Sequence, residues 1–189
     1  MIVGFLGKKN VGKDTAAKYL IENYGYERRA FFDKAKEAAA TAIGISVPML
    51  ENFKDGSIYV EVREYGYSAY STRLASISVR EYLQNFGDAL RGVFGEDVLI
   101  DPVIPFMHPP DFYRRQRIVI SDVRMAAEVR RIKELSGVII RINRPLRNLF
   151  DSHASELEQD AIQADFEINN TGTIQDLHKN LDIIMEQIE

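Results

Sequence analysis

The chain has 189 residues, of which 46% are hydrophobic and 28% charged, with a formal net charge of −4; that suits one domain, or one domain with an insertion, around a substantial core. Mild acidity provides no whole-molecule attraction to nucleic acid or to an anionic membrane, and no run of eighteen apolar residues is present to span a bilayer. The absence of cysteine excludes a disulfide framework and a thiolate metal site, and it suits a reducing, cytoplasmic compartment.

Ile2 to Leu6 is a short apolar run ending at Gly7, which predicts a buried parallel strand rather than a signal peptide. Thr15 to Tyr24 reads as a helix stopped by Gly25, Arg29 to Phe32 as a second strand, and Ala35 to Ile43 as a helix stopped by Gly44. From Ser57 to Arg73, Ile58, Val60 and Val62 alternate with polar residues and tyrosines recur, the pattern of an inserted β-hairpin or ordered loop. Ser78 and Glu81 form a capping box, so a helix starts at Val79 and runs to about Gly95. Pro102, Pro105, Pro109 and Pro110 make the next segment loop-rich. Ile118 to Ile120 is a strand with Asp122 at its edge, Met125 to Ser136 a helix, and Val138 to Ile142 a further strand. Ser155 to Ala161 reads as a helix, Phe166 to Ile168 as the last strand, and Thr173 opens a final helix striped by Ile174, Leu177, Leu181, Ile184 and Ile188. Strands alternating with helices predict a mostly parallel α/β sheet covered on both faces.

Gly7-Lys8-Lys9-Asn10-Val11-Gly12-Lys13 fits the pattern G-x-x-x-x-G-K directly after an apolar strand and directly before a helix. Glycines let the backbone curl so that successive N–H groups face one phosphate, and the helix adds its positive end. Lys13 supplies a charge for the β- and γ-phosphates of a nucleoside triphosphate, with Gly7, Lys8, Asn10, Val11, Gly12, Asp14 and Thr15 completing the cradle. The position after the lysine is ordinarily Ser or Thr, whose hydroxyl holds Mg²⁺. Here it is Asp14, which would meet the metal through water or serve only as a charge favourable to the helix dipole. Asp122 lies where an acid can orient metal-bound water, and Arg124 where it can pair with a phosphate. Phosphoryl transfer asks for electrostatic stabilisation of moving charge, and Arg80, Arg91, Arg124, Arg144 and Arg147 are the candidates for it. Arg130 and Arg131 read as solvated surface, Arg114, Arg115 and Arg117 stay open, and His108, His153 and His178 are too scattered for a metal site.

Four blocks in this order resemble the bacteriophage deoxynucleoside monophosphate kinases: Gly12-Lys13-Asp14-Thr15, Arg80-Glu81-Tyr82-Leu83-Gln84-Asn85-Phe86-Gly87, Ser121-Asp122-Val123-Arg124, and His153-Ala154-Ser155-Glu156. Ile168 to Gly172 is similar as well, so the resemblance spans nearly the whole chain. It implies a P-loop kinase fold: a five-stranded parallel sheet flanked by helices, a monophosphate-binding insertion over 31–101 and a short lid over 143–158. It implies ATP as phosphate donor with Mg²⁺, held largely through water and phosphate near Asp14 and Asp122. On this mapping Arg80 meets the acceptor phosphate, Gln84 its base, and Arg91 and Arg124 complete the acceptor site. Arg144 and Arg147 form the lid, and Asn170 and Thr171 lie beside adenine. The partners implied are small nucleotides, with no nucleic-acid polymer and no membrane; a homodimer is left open, and a phage origin would place the chain in host cytoplasm.

Two other readings stay open on the residues themselves. One is a P-loop kinase of a different small acceptor, such as dephospho-coenzyme A. The other is a nucleotide-binding switch, which would need a water-positioning group and a partner surface that the sequence does not display.

Overall fold

The computed structural model describes residues 1–53, 56–65, 70–105, 112–113, 116–145 and 161–188, without the side chains of 60–65 and 70–75. The chain falls into two compact units, Met1–Phe31 with Ile100–Glu189, and Phe32–Leu99.

The first unit holds β1 (Ile2–Leu6), α1 (Lys13–Tyr24), β2 (Glu27–Arg29), β5 (Ile118–Val123), α5 (Ala126–Glu134), β6 (Val138–Asn143), β7 (Phe166–Asn169) and α6 (Ile174–Ile188). Its five strands run parallel in the order β2-β5-β1-β6-β7. Alternation along β1 explains why both faces are covered. Val3 and Phe5 point into a cluster with Ala16, Leu20, Leu177, Leu181 and Met185 from α1 and α6. Ile2 and Leu6 point into the opposite cluster, with Ile120, Ile132 and Ile139. At Gly4 an added Cβ would come within 2.8 Å of Ile132 Cδ1, so this glycine lets α5 pack closely on β1.

The second unit holds α2 (Asp33–Ala42), α3 (Val47–Asn52), β3 (Ser57–Tyr65), β4 (Tyr70–Ser78) and α4 (Val79–Phe94), followed by a 3₁₀ turn at Glu96–Leu99. Its small core is Ala40, Leu50 and Val79, with Ile43, Ile45, Val47, Ile58 and Leu83 packed against them. Strands β3 and β4 pair antiparallel from Ser57↔Ser78 to Tyr65↔Tyr70 as a two-stranded ribbon. Helix α3 has the signature of a helix start, Ser46 accepting from Met49 N–H with Pro48 in the first turn.

The expected elements are present with shifted ends. The second strand lies at Glu27–Arg29 rather than Arg29–Phe32, because Phe31 is buried in the core beside Ile100 and Ile104 instead of continuing the edge. The helix expected over Ser155–Ala161 lies outside the described residues except for Ala161. Among the described residues no helix is long and apolar enough to cross a membrane.

Candidate active site

The turn between β1 and α1 is shaped by residues at positive φ. Gly7 has φ 147°, and a Cβ there would meet Ile142 O at 2.4 Å, so no larger residue fits. Asn10 sits at φ 63° and Gly12 at φ 112°, the latter as the N-cap of α1. Such left-handed residues wind the loop around its own N–H groups and create a concavity for an anion. No side chain caps α1, whereas α3 and α4 are capped by Ser46 and Ser78. A helix start of this kind, entered through a glycine-rich turn, is where an anion can be received. Lys13 folds back over the loop, its Nζ donating to Gly7 O at 2.5 Å and Lys8 O at 2.7 Å. An anion seated in the loop would meet an ammonium already held at its rim.

The loop opens on a cleft of about 580 Å³. Gly7, Lys8 and Val11 form one wall, Arg141 to Pro145 at the end of β6 another, and Asn169 and Thr171 after β7 a third. All three walls lie at the C-terminal ends of parallel strands, where open α/β sheets bind ligands. Arg141 is only 8% exposed; its guanidinium donates to Ile162 O and pairs with Glu167 at 3.6 Å. It is committed to the sheet edge, whereas Arg144, the first residue beyond β6, is exposed at the cleft. Arg147, His153 and the rest of the expected lid from residue 146 to 158 lie outside the described residues, as do His108, Arg114 and Arg115.

Asp14 is exposed in the first turn of α1, and Thr15 is half-buried beside it. Asp122 is half-buried, and its Oδ1 accepts from Phe31 N–H at 3.0 Å. One carboxylate oxygen thus fastens the last residue before the second unit, a structural bond beside the role expected of Asp122 toward metal-bound water. Among the described residues no cluster of three acidic, histidine or cysteine side chains could enclose a metal. Asp14 and Asp122 are carboxylates of the kind that hydrated Mg²⁺ takes together with phosphate oxygens.

Arg124 is exposed just past β5, and its backbone is fixed from below. The buried Glu128 carboxylate accepts from Arg124 N–H at 2.7 Å and from Met125 N–H at 3.0 Å. Glu128 escaped sequence reading because Met125 occupies the cap position, where Ser or Thr would have flagged a capping box. Arg131 is a correction. Expected as solvated surface, it is 5% exposed and pairs with Asp101 at 2.7 Å and with Ile104 O at 2.8 Å. It ties α5 to the segment returning from the second unit, and the apolar periodicity of α5 gave no sign of that. Arg130 is exposed, as expected, near Glu134.

Asn170, expected beside adenine, has a further task. Its neighbours Asn169 and Thr171 line the cleft, but its own side chain is 7% exposed and donates through Nδ2 to Val11 O at 2.8 Å. The loop then enters α6 through Asp176, whose carboxylate accepts from Thr173 N–H and Oγ1–H at 2.8 Å each. Those bonds, backbone first, hold it below the usual carboxylate range. His178 stacks on Tyr19 at 3.9 Å between ring centres, packing α6 on α1.

In the second unit, Ser78 accepts from Glu81 N–H at 3.1 Å and starts α4 as expected. At about 100° per residue, Arg80, Gln84 and Arg91 fall within about 40° of one another around that helix. Gly87 lies on the same stripe, where a Cβ would meet Phe32 Cε2 at 2.7 Å and Arg91 Nη1 at 3.3 Å. Arg91 also pairs with Asp88 at 3.4 Å. Three polar side chains separated in sequence thus form one surface beside an aromatic ring.

No protein-family model matches the chain. It is similar to a protein of Acanthamoeba polyphaga mimivirus described as "Putative deoxynucleotide monophosphate kinase", 29% identical over 96% of this chain and 94% of the relative. Among solved structures it is similar to shikimate kinase from Aquifex aeolicus, with a TM-score of 0.48 at 14% identity over 99% of this chain and 97% of that one. A shikimate kinase from Acinetobacter baumannii in complex with shikimate gives a TM-score of 0.43 at 14% identity over 98% and 93%.

Proposed function

We propose that the chain is an ATP-dependent kinase that transfers the γ-phosphoryl group to a deoxynucleoside 5′-monophosphate, giving the diphosphate and ADP. The observation that carries this reading is the phosphate loop: it winds into α1 through Gly7, Asn10 and Gly12 at positive φ, Lys13 folds back onto it, and its Gly7, Lys8 and Val11 line a cleft at the strand ends. The similarity to the mimivirus protein supports a deoxynucleotide acceptor.

In this reading an oxygen of the acceptor phosphate attacks the γ-phosphorus, the bond to the β,γ-bridging oxygen breaks, and ADP leaves with that electron pair. The loop N–H groups and Lys13 hold the β- and γ-phosphates. Arg144, with Arg147, neutralises charge that spreads over the moving group. Arg124, set by Glu128, faces the transferred phosphoryl or the acceptor phosphate. Arg80 and Arg91 bind the acceptor phosphate, and Gln84 hydrogen-bonds its base. Asp14 and Asp122 would hold hydrated Mg²⁺, which would supply neutralisation of phosphate charge. Thr171 and Asn169 border the adenine end of the cleft.

The test is ADP formation from ATP with each of the four common deoxynucleoside monophosphates. At least one should raise ADP formation on the order of a hundredfold above the rate without acceptor, by positioning the attacking oxygen, with one diphosphate formed per ADP. A rate indifferent to all four rejects the acceptor assignment.

A further inference from the structure

Asn170 is a buried polar side chain whose hydrogen bonding joins three walls of the cleft. Its backbone N–H donates to Asn143 O at 2.7 Å, tying the end of β7 to the end of β6. Its side-chain amide crosses 159 positions of sequence to donate to Val11 O at 2.8 Å. Nδ2 also stands 2.6 Å from where a Cβ on Gly12 would be, so the amide packs directly behind the glycine that caps α1. Val11 O and Gly12 belong to the phosphate loop, while Asn169 and Thr171, on either side of Asn170, line the far wall of the same cleft. A ligand that orders residues 169–171 therefore orders the support of the loop.

We infer that Asn170 is a positioning residue that sets the phosphate loop and couples the nucleoside end of the cleft to its phosphate end. The inference rests on reading Gly7 to Lys13 as a phosphate loop. Asn170 touches neither end of the ligand in this role. It acts through Val11 O: without the donor, that buried carbonyl loses its partner, and the loop relaxes away from the curvature that gathers its N–H groups. A side chain that bound adenine directly would affect the nucleoside end alone. One that merely stabilised the fold would weaken both ends equally.

The experiment is calorimetric titration of the whole chain with Mg²⁺-tripolyphosphate, with adenosine, and with tripolyphosphate at saturating adenosine. Native chain, Asn170→Ala and Asn170→Leu are compared; the leucine keeps the shape of the side chain but has no donor. In the native chain, saturating adenosine should tighten tripolyphosphate binding at least about threefold, the scale of coupling through one ordered contact. In both variants tripolyphosphate affinity should fall about tenfold, the worth of one buried hydrogen bond. Adenosine affinity should stay within about twofold, and the tightening should vanish. No coupling in the native chain, an equal loss for both probes, a loss confined to adenosine, or unfolding of both variants overturns the inference. No phosphate acceptor is present in these titrations, so failure of the kinase assay and failure of this coupling read out separately.

Discussion

In the unit that carries the phosphate loop, β1 is buried along its whole length between two apolar clusters, with α1 and α6 on one side and α5 on the other. In the unit Phe32–Leu99, Ala40, Leu50 and Val79 form the centre of the core among the described residues, and β3 and β4 pair with each other as a two-stranded ribbon. A two-stranded ribbon has little stability of its own. The difference separates two demands. Holding a triphosphate requires N–H groups fixed to fractions of an ångström, which a doubly covered sheet supplies. In the proposed reaction an exchangeable acceptor would be received by α4, in the unit with the smaller described core, where local opening costs less.

The largest effect should come from the rigid side. Lys13→Ala removes the ammonium held at Gly7 O and Lys8 O. Turnover should fall on the order of a hundredfold or more, the cost of one lost charge contact in the transition state. Thermal stability should hardly change, because the lysine is half-exposed and buries no apolar surface in the core. Steady-state kinetics beside a melting curve check both parts, and near-native turnover would remove the phosphate loop from the mechanism.

Gly87→Ala sharpens the contrast from the other side. Alanine gains about 1 kcal/mol of helix propensity over glycine. Its Cβ, however, would lie 2.7 Å from Phe32 Cε2, so the ring must move off the Arg80–Gln84–Arg91 stripe. The two effects offset in stability but not in binding. KM for the monophosphate should rise several-fold, on the order of 1 kcal/mol of lost binding, while KM for ATP holds. Unchanged acceptor kinetics would separate Phe32 and this stripe from the acceptor.

The smallest effect is structural. Ser78→Ala removes the oxygen that caps Glu81 N–H and should cost about 1 kcal/mol locally. Hydrogen exchange of the first-turn amides of α4 should speed up by about fivefold, that free energy expressed as a ratio, while α1 and the central strands keep their protection. Equal acceleration in both units would show that they unfold as one.

These contrasts also explain what could be read from sequence. The phosphate loop was legible because its chemistry is local: an apolar strand, two glycines at fixed spacing, a lysine, then a helix. The parallel sheet was legible because β1 is an apolar run and β5 and β6 each open on one, Ile118 to Ile120 and Val138 to Ile140. The stripe on α4 was visible in part, since Ser78 marks where the helix begins and hence which residues share a face. Arg131 was misread and the loop-supporting bond of Asn170 missed because their partners, Asp101 and Val11 O, are chosen by tertiary packing across 30 and 159 positions, while Glu128 was missed because Met125 at the cap position hides a local bond to Arg124 N–H. Nothing in residue type distinguishes a buried, committed Arg131 from the exposed Arg130 beside it. The end of β2 moved for a similar reason, Phe31 being taken into the core.

The claim that the donor and the acceptor are held by different units is tested most directly by the kinetics of Arg80→Ala, with ATP and the best deoxynucleoside monophosphate varied in turn. Arg80 stands in the first turn of α4, and Lys13 in the first turn of α1. KM for the monophosphate should rise at least about tenfold, the scale of a lost charge-assisted contact, and KM for ATP should stay within about twofold. Equal increases for both substrates, or an increase for ATP alone, would contradict the division.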